Sequence, residues 1–307
     1  MNFNYLLDKS ISFISNFLGD YYTYSKRPKN ITFNNIKSST NCINAIIVQG
    51  GLLEKDDFTI QTLKLYKKNF QDNTIIIYSG WENLNYDLQI SIEKIGVIVL
   101  KNSFPINSGH KNINYQIAST KAAIELCENL NVKYVAKTRS DQRFYHENWF
   151  YSLKEMLNSF PLINNNGVQK NRLIALSINT FKDRLYGVSD MFMMGNIEDM
   201  KLYWNVEFDK RKKIQLSSSK PFLDYSKQKM CETYFNVNFL EKIKHNIKWT
   251  YADSLQCYRD YFIILDKDSM DMLWPKYTWS ENRWSDYKTN RENYHEITFF
   301  DWILLQK

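Results

Sequence analysis

The chain has 307 residues and a formal charge of +7, from 40 Lys and Arg against 33 Asp and Glu, with 44% apolar and 16% aromatic residues. That apolar content can build a sizeable core and excludes global disorder, while only nine Gly and five Pro exclude collagen-like and low-complexity architectures. At roughly 150 residues per domain, the length suits two domains or one large α/β unit with additions.

Residues 1–24 carry Phe3, Leu6, Leu7, Ile11, Ile14, Phe17 and Leu18 at three- and four-residue steps, the pattern of an amphipathic helix. It suits packing on a core. An interfacial membrane helix is the alternative, although its polar face is weakly basic. It is not read as a signal peptide, because no basic region leads it and Asp8 and Lys9 interrupt its apolar stretch. The polar stretch from Ser25 to Asn41 reads as a loop. Cys42 to Val48 is predicted as a buried strand stopped at Gln49-Gly50-Gly51. Thr59 to Phe70 has helical spacing. Thr74 to Tyr78 is a second strand, closing at Ser79-Gly80-Trp81, and Val97 to Leu100 a third. Ile113 to Asn131 reads as a long helix. Lys133 to Thr138 is a fourth strand, ending at Arg139-Ser140-Asp141. Leu173 to Ser177 and Met191 to Met194 are predicted as further strands, with Gly195 breaking the latter. Ile197 to Phe208 and Lys229 to Ile243 read as helices, and Tyr261 to Leu265 as a late strand.

Alternation of strands and helices predicts a mostly parallel sheet with helices on both faces. In such sheets ligands bind outside the carboxyl ends of the strands. The three polar strand ends, at Gln49, Ser79 and Arg139, should therefore converge on one crevice. No apolar run approaches the roughly 18 residues that span a bilayer. The four cysteines, Cys42, Cys127, Cys231 and Cys257, are scattered without a Cys-x-x-Cys pair, which suits reduced thiols in a cytoplasm and argues against a zinc cluster. His110, His146, His245 and His295 show no metal spacing, and no Gly-x-Ser-x-Gly elbow is present. The basic run Lys210-Arg211-Lys212-Lys213 comes without any nucleic-acid-binding motif and reads as a solvated face, so no nucleic acid partner is expected.

The residues richest in chemistry are Lys137-Thr138-Arg139-Ser140-Asp141-Gln142-Arg143. Cations around one carboxylate at a strand end can hold magnesium or clamp a diphosphate, or form a structural Asp–Arg pair. Gln49-Gly50-Gly51 lets a ligand approach the backbone, or is an ordinary tight turn. Asn114 and Gln116, opening the long helix, could read a base edge or ribose, or serve as caps. Asp190, before its strand, could bind an acceptor hydroxyl or take its proton, or cap a turn. Glu232, in a first helical turn, is the other candidate base, or simply suits the helix dipole.

The stretches IIVQGG, TLKLYKKNF, IIIYSGW, INYQIASTKAAIELC, VKYVAKTRSDQRFY, NTFKDRLYGVSDMFMMG and WPKYT occur in that order between about residues 43 and 280. In them the chain resembles the WavE-type lipopolysaccharide-synthesis proteins, a bacterial glycosyltransferase group. The resemblance implies a GT-A-like (Rossmann-like) α/β domain. It would span residues 42–307 after an N-terminal helix and loop at 1–41, with a nucleotide-sugar half at 42–145 and an acceptor half at 146–307. It implies transfer of a sugar from a nucleotide-sugar donor to a glycan or lipid-linked glycan acceptor, in a cytoplasmic protein touching the inner membrane face. Donor binding falls to Gln49, Gly50, Gly51, Trp81, Asn114, Gln116, Lys137, Arg139 and Asp141, and catalysis to Asp190 and Glu232. A divalent metal, Mg or Mn, would sit at Asp141. The family-type Asp-x-Asp is incomplete, because position 139 is Arg, so Arg139 or Lys137 could neutralise the diphosphate instead. A non-catalytic carbohydrate- or membrane-surface-binding protein on the same scaffold is the alternative. A nucleotidyltransferase would want a basic glycine-rich loop, and Gln49 to Glu54 has no basic residue.

Overall fold

The computed structural model describes residues 3–19, 26–32, 43–70, 73–164, 167–211, 222–275 and 296–307. Cys42, Lys212, Lys213, His295 and most of the WPKYT stretch lie outside them. The chain divides into two units, Met1–Asn30 and Ile31–Lys307. The first is a helix, α1 (Phe3–Leu18), whose Phe13 and Phe17 are exposed. No helix among the described residues is long and apolar enough to cross a membrane.

The second unit begins its sheet with β1 (Asn44–Gln49), six residues that are all buried. A continuous apolar run of this kind suits a central parallel strand covered on both faces. There follow α2 (Phe58–Asn69), β2 (Thr74–Trp81), α3 (Tyr86–Lys94), β3 (Ile98–Asn102), α4 (Ile113–Asn129) and β4 (Tyr134–Arg139). Then come a short β5 (Arg143–Phe144), α5 (Trp149–Ser159), β6 (Leu173–Leu176), β7 (Met193–Asn196), α6 (Ile197–Trp204), α7 (Phe222–Lys227), α8 (Cys231–Lys242) and α9 (Tyr251–Tyr261). β8 (Phe262–Leu265), a short β9 (Met272–Leu273) and α10 (Phe299–Leu304) complete the unit.

Seven strands form one sheet in the order β3-β2-β1-β4-β7-β6-β8, and β5 pairs with β9 apart from it. All neighbours are parallel except β7, which runs antiparallel to both β4 and β6. This is the expected α/β architecture: a mostly parallel sheet flanked by helices. α4 buries Ile113, Ile117, Thr120, Ile124 and Cys127, at steps of four, three, four and three, against β1 and β2.

Two expectations need correction. Gly195 does not end its strand but lies inside β7, where a Cβ would meet Leu173 Cδ2 at 2.6 Å, so the glycine admits close packing of β6 on β7. The helix expected to reach Phe208 stops at Trp204.

Candidate functional site

Register brings the strand ends together. Gln49 lies opposite Ser79 on one side and Arg139 on the other. Because β7 is antiparallel, the Ser189-Asp190 segment that precedes it reaches the same edge of the sheet. Four of the expected segments therefore share one edge.

The turn after β1 is built tightly. Gly50 has φ +117, a left-handed conformation that side chains rarely adopt, and a Cβ there would meet Ser140 Oγ at 3.0 Å. The Ser140 hydroxyl donates to Gly51 O at 2.5 Å, and Tyr78 Oη donates to Gly50 O at 3.0 Å. Gly51 is exposed, and Gln49 is buried. Beside them, at the end of β2, Trp81 stacks on Phe104 with ring centroids 4.8 Å apart, and Tyr115 meets Trp81 edge-on at 5.2 Å. Phe104 and Tyr115 were not among the expected residues.

At the end of β4, Arg139 and Asp141 form a bidentate pair. Arg139 Nε and Nη2 donate to the two carboxylate oxygens, each at 2.8 Å. Trp274 Nε1 donates to Asp141 Oδ2 at 3.2 Å, and the guanidinium lies 6.0 Å from the Trp274 ring. This pair is partly open, with the side chains 24% and 17% exposed. Both oxygens of Asp141 are thus directed at nitrogen donors, and among the described residues Asp141 belongs to no group of three His, Cys, Asp or Glu that could hold a metal. The residues as built do not fit a divalent ion at Asp141; they fit a guanidinium held in a fixed plane.

Lys137, expected to contact the donor, is held by the protein's own groups. It is fully buried in β4, where its ammonium donates to Asp190 O at 2.6 Å and to Gln116 Oε1 at 3.5 Å, and lies 4.7 Å from the Trp204 ring. Burial lowers its pKa to about 7; Asp190 pulls the other way, and Arg139 adds to the lowering. It supports the site from beneath. Gln116 joins this network through Nε2, which donates to Asp190 Oδ2 at 2.9 Å. Asn114, also expected at the donor, is engaged within the protein. Its buried carboxamide accepts from Asp209 N at 2.7 Å and donates to Asn107 O and Asp209 O, each at 2.9 Å. That consumes the amide in joining α4 to the segment after α6.

The two expected catalytic carboxylates are electrostatic neighbours. Glu232, in the first turn of α8, accepts an ion pair from Arg184 Nη1 at 3.1 Å, and its side chain is 14% exposed. Burial raises its pKa; Arg184 opposes that rise, and the nearby Asp190 charge adds to it. Gly187 makes room for Arg184: a Cβ there would lie 2.6 Å from Arg184 Cδ. Tyr203, fully buried in α6, feels the charge of both Asp190 and Glu232, and its hydroxyl has no hydrogen-bond partner among the described residues. Arg184 and Tyr203 escaped the sequence reading. Arg184 sits in an irregular loop with no period, and Tyr203 reads as one more aromatic on an apolar helix face.

The site is therefore a run of charged neighbours: Arg139–Asp141, Lys137 and Asp190 at one sheet edge, and the Glu232–Arg184 pair within reach of the Asp190 charge. It can hold an anionic group at Arg139, orient a polar ligand through Gln116, and take a proton at Glu232.

No family model matches the sequence, and no curated protein matches it. Among solved structures, a 4-diphosphocytidyl-2C-methyl-D-erythritol synthase from Anaerococcus prevotii is 11% identical, over 88% of this chain and 100% of that one, with a TM-score of 0.41. Mouse xyloside xylosyltransferase 1 is 7% identical, over 73% of this chain and 86% of that one, with a TM-score of 0.37. Core-mannan synthase A from Aspergillus fumigatus, in a Mn/GDP form, is 9% identical over 81% of each chain, with a TM-score of 0.34. At such values the likeness does not bear on function.

Proposed function

We propose that this chain is a nucleotide-sugar-dependent glycosyltransferase that moves a sugar to a hydroxyl of a growing surface glycan, such as lipopolysaccharide, lipooligosaccharide or capsule. One observation carries the reading: a plane-locked guanidinium at the end of β4 shares a sheet edge with Asp190, whose charge acts on the largely buried, Arg-paired Glu232 of raised pKa. A nucleoside diphosphate gathers negative charge as it leaves an anomeric carbon. Arg139, whose fork Asp141 holds in one plane, stabilises that charge without reorganising. The Gly50-Gly51 turn admits the donor to the backbone, and Trp81 flanks the nucleotide.

An acceptor hydroxyl has a high pKa and needs a base as it attacks. Glu232 takes that proton, because burial brings its carboxyl nearer to neutrality than an exposed one. The neutral Glu232 that results is stabilised by the same burial. Asp190 positions the acceptor through Gln116, and Lys137 fixes the Asp190 backbone. The WavE resemblance supplies the surface-glycan acceptor, and the charge of +7 suits an anionic lipid-linked one at an inner membrane face. The Trp81–Phe104 stack would also suit a non-catalytic sugar-binding module, but such a module has no use for a buried Glu232–Arg184 pair beside Asp190.

The test is a thermal-shift screen of UDP-, GDP-, CMP- and dTDP-sugars with and without Mn²⁺ or Mg²⁺. A ligand that binds only the native state at 100 times its Kd stabilises it by about 2.7 kcal/mol. One nucleotide class should raise the Tm, and Arg139→Met should abolish that shift. A flat response to every donor sinks the reading.

A further inference from the structure

A second cluster of ligating atoms lies behind the site, and the scattered spacing of histidines and cysteines in the sequence conceals it. His245 follows α8. Asp253 and Cys257 are four residues apart on α9 and so share a face. The imidazole Nε2 lies 3.2 Å from Asp253 Oδ1 and 3.3 Å from Cys257 Sγ. One ligating atom from each residue falls within 4.8 Å of the other two. Cys257 is wholly buried, Asp253 is 3% exposed, and the His245 side chain is 11% exposed.

Two features separate this cluster from an ordinary proton relay. First, the thiol and the carboxylate converge on the same imidazole nitrogen. A single N–H there can serve only one of them well, whereas a cation in their midst serves all three. Second, the outer partners are already arranged. His245 Nδ1 lies 3.0 Å from Tyr261 Oη, which leaves Nε2 as the ligating nitrogen when Nδ1 carries the proton. Asp253 Oδ2 accepts from Tyr186 Oη at 2.6 Å and Lys248 N at 3.1 Å, which turns Oδ1 toward the cluster.

We propose that His245 Nε2, Asp253 Oδ1 and Cys257 Sγ bind one zinc ion. Tetrahedral zinc, with bonds of about 2.0–2.1 Å to nitrogen, 2.0–2.2 Å to oxygen and 2.3 Å to sulfur, separates its ligand atoms by about 3.4–3.6 Å. The two distances from Nε2, 3.2 Å and 3.3 Å, fall short of that by a few tenths of an ångström, and the carboxylate and thiol lie within 4.8 Å of each other. Thiolate with imidazole selects zinc over magnesium or manganese, which favour oxygen ligands. Binding sends the thiol proton to solvent, and water completes the fourth position. The ion would brace the loop that carries Asp190, because Asp253 holds Tyr186. Tyr186 has the left-handed φ of 56, accepts from Trp249 N at 2.9 Å, and stands four residues before Asp190. The zinc reading is independent of the sugar-transfer reading.

The test uses the purified chain, stripped with a chelator and titrated with Zn²⁺ and Co²⁺. One equivalent of zinc should bind and raise the Tm, and one equivalent of cobalt should give a thiolate-to-metal charge-transfer band. Cys257→Ser should lose the band and weaken zinc binding at least about tenfold, as should His245→Gln, while Cys127→Ser keeps both. The wild-type titration decides the matter even where a variant misfolds. Less than stoichiometric binding, or one cobalt bound without the band, overturns the site. Persistence of the band in folded Cys257→Ser does the same.

Discussion

At the residue scale, the two carboxylates that the sequence singles out divide their labour. Asp190 is engaged: its side chain takes Gln116, and its carbonyl takes Lys137. Glu232 is the titrating partner, raised by burial. Glu232→Gln should lower kcat by about 10²–10⁴ while leaving donor KM near its original value, since a base acts in the transition state. Steady-state kinetics at saturating acceptor checks this, and an active variant moves the base elsewhere. Lys137 makes a prediction about pH. Its amine titrates near 7 when folded and near 10.5 when unfolded, so between those values the unfolded chain binds more protons. Stability from this group therefore rises with pH, by up to about 1.4 kcal/mol per unit. Gln116, Asp190, Arg139, Asp141 and the Trp204 ring surround it or act on it. Urea unfolding of wild type and Lys137→Met between pH 7 and 9 should give diverging curves, with wild type gaining; parallel curves refute the lowered pKa.

At the element scale, α4 is the beam of the site. It covers β1 and β2, offers Gln116 to Asp190, and is clasped at its start through Asn114 and Asp209. Arg211 completes the clasp, with Nε 2.7 Å from Asp209 Oδ1 and further bonds to Gln228 O and Lys229 O at the approach to α8. Asn114→Ala strands buried backbone groups at Asp209, so it should cost about 1–3 kcal/mol of stability. Because the amide is spent on the protein, donor affinity should stay unchanged; a calorimetric titration that shows lost affinity would return Asn114 to the ligand. Three helices that the sequence reading passed over have recognisable starts. Asn85 caps α3 by accepting from Asp87 N and Leu88 N, Thr250 caps α9 by accepting from Asp253 N, and Thr298 with Asp301 forms a capping box at α10. Each lies in the spacing S/T/N-x-x-D or its near neighbour, a signal available before any coordinates.

At the scale of the whole molecule, the parallel half of the sheet was legible because its strands are buried on both faces and read as short β-branched runs. β1, β2 and β4 therefore came within one to three residues of their observed ends. The second half was harder for a physical reason. Arg184, Tyr186, Asp190 and Tyr203 meet by tertiary packing among α6, α8, α9 and an irregular loop, and no period links them. The same holds for His245, Asp253 and Cys257. The strand ends carried Gln49, Arg139 and Asp141 to one edge of the sheet, but only burial distinguishes a partly open side chain such as Arg139 from an enclosed one such as Lys137.

The one reversed strand carries a consequence for how such a molecule can change. β6 ends, and β7 begins, at the same edge, so residues 177–192 leave and re-enter the sheet without crossing it. That stretch holds Arg184, Tyr186 and Asp190, and its length is not fixed by the span of any crossover. Its length can change without altering the strand order, within the limits set by its buried Ile178, Tyr186, Val188 and Phe192. On the proposed function, acceptor choice would drift with this loop, while the Arg139–Asp141 end, built on parallel strands joined by obligatory helices, stays constant.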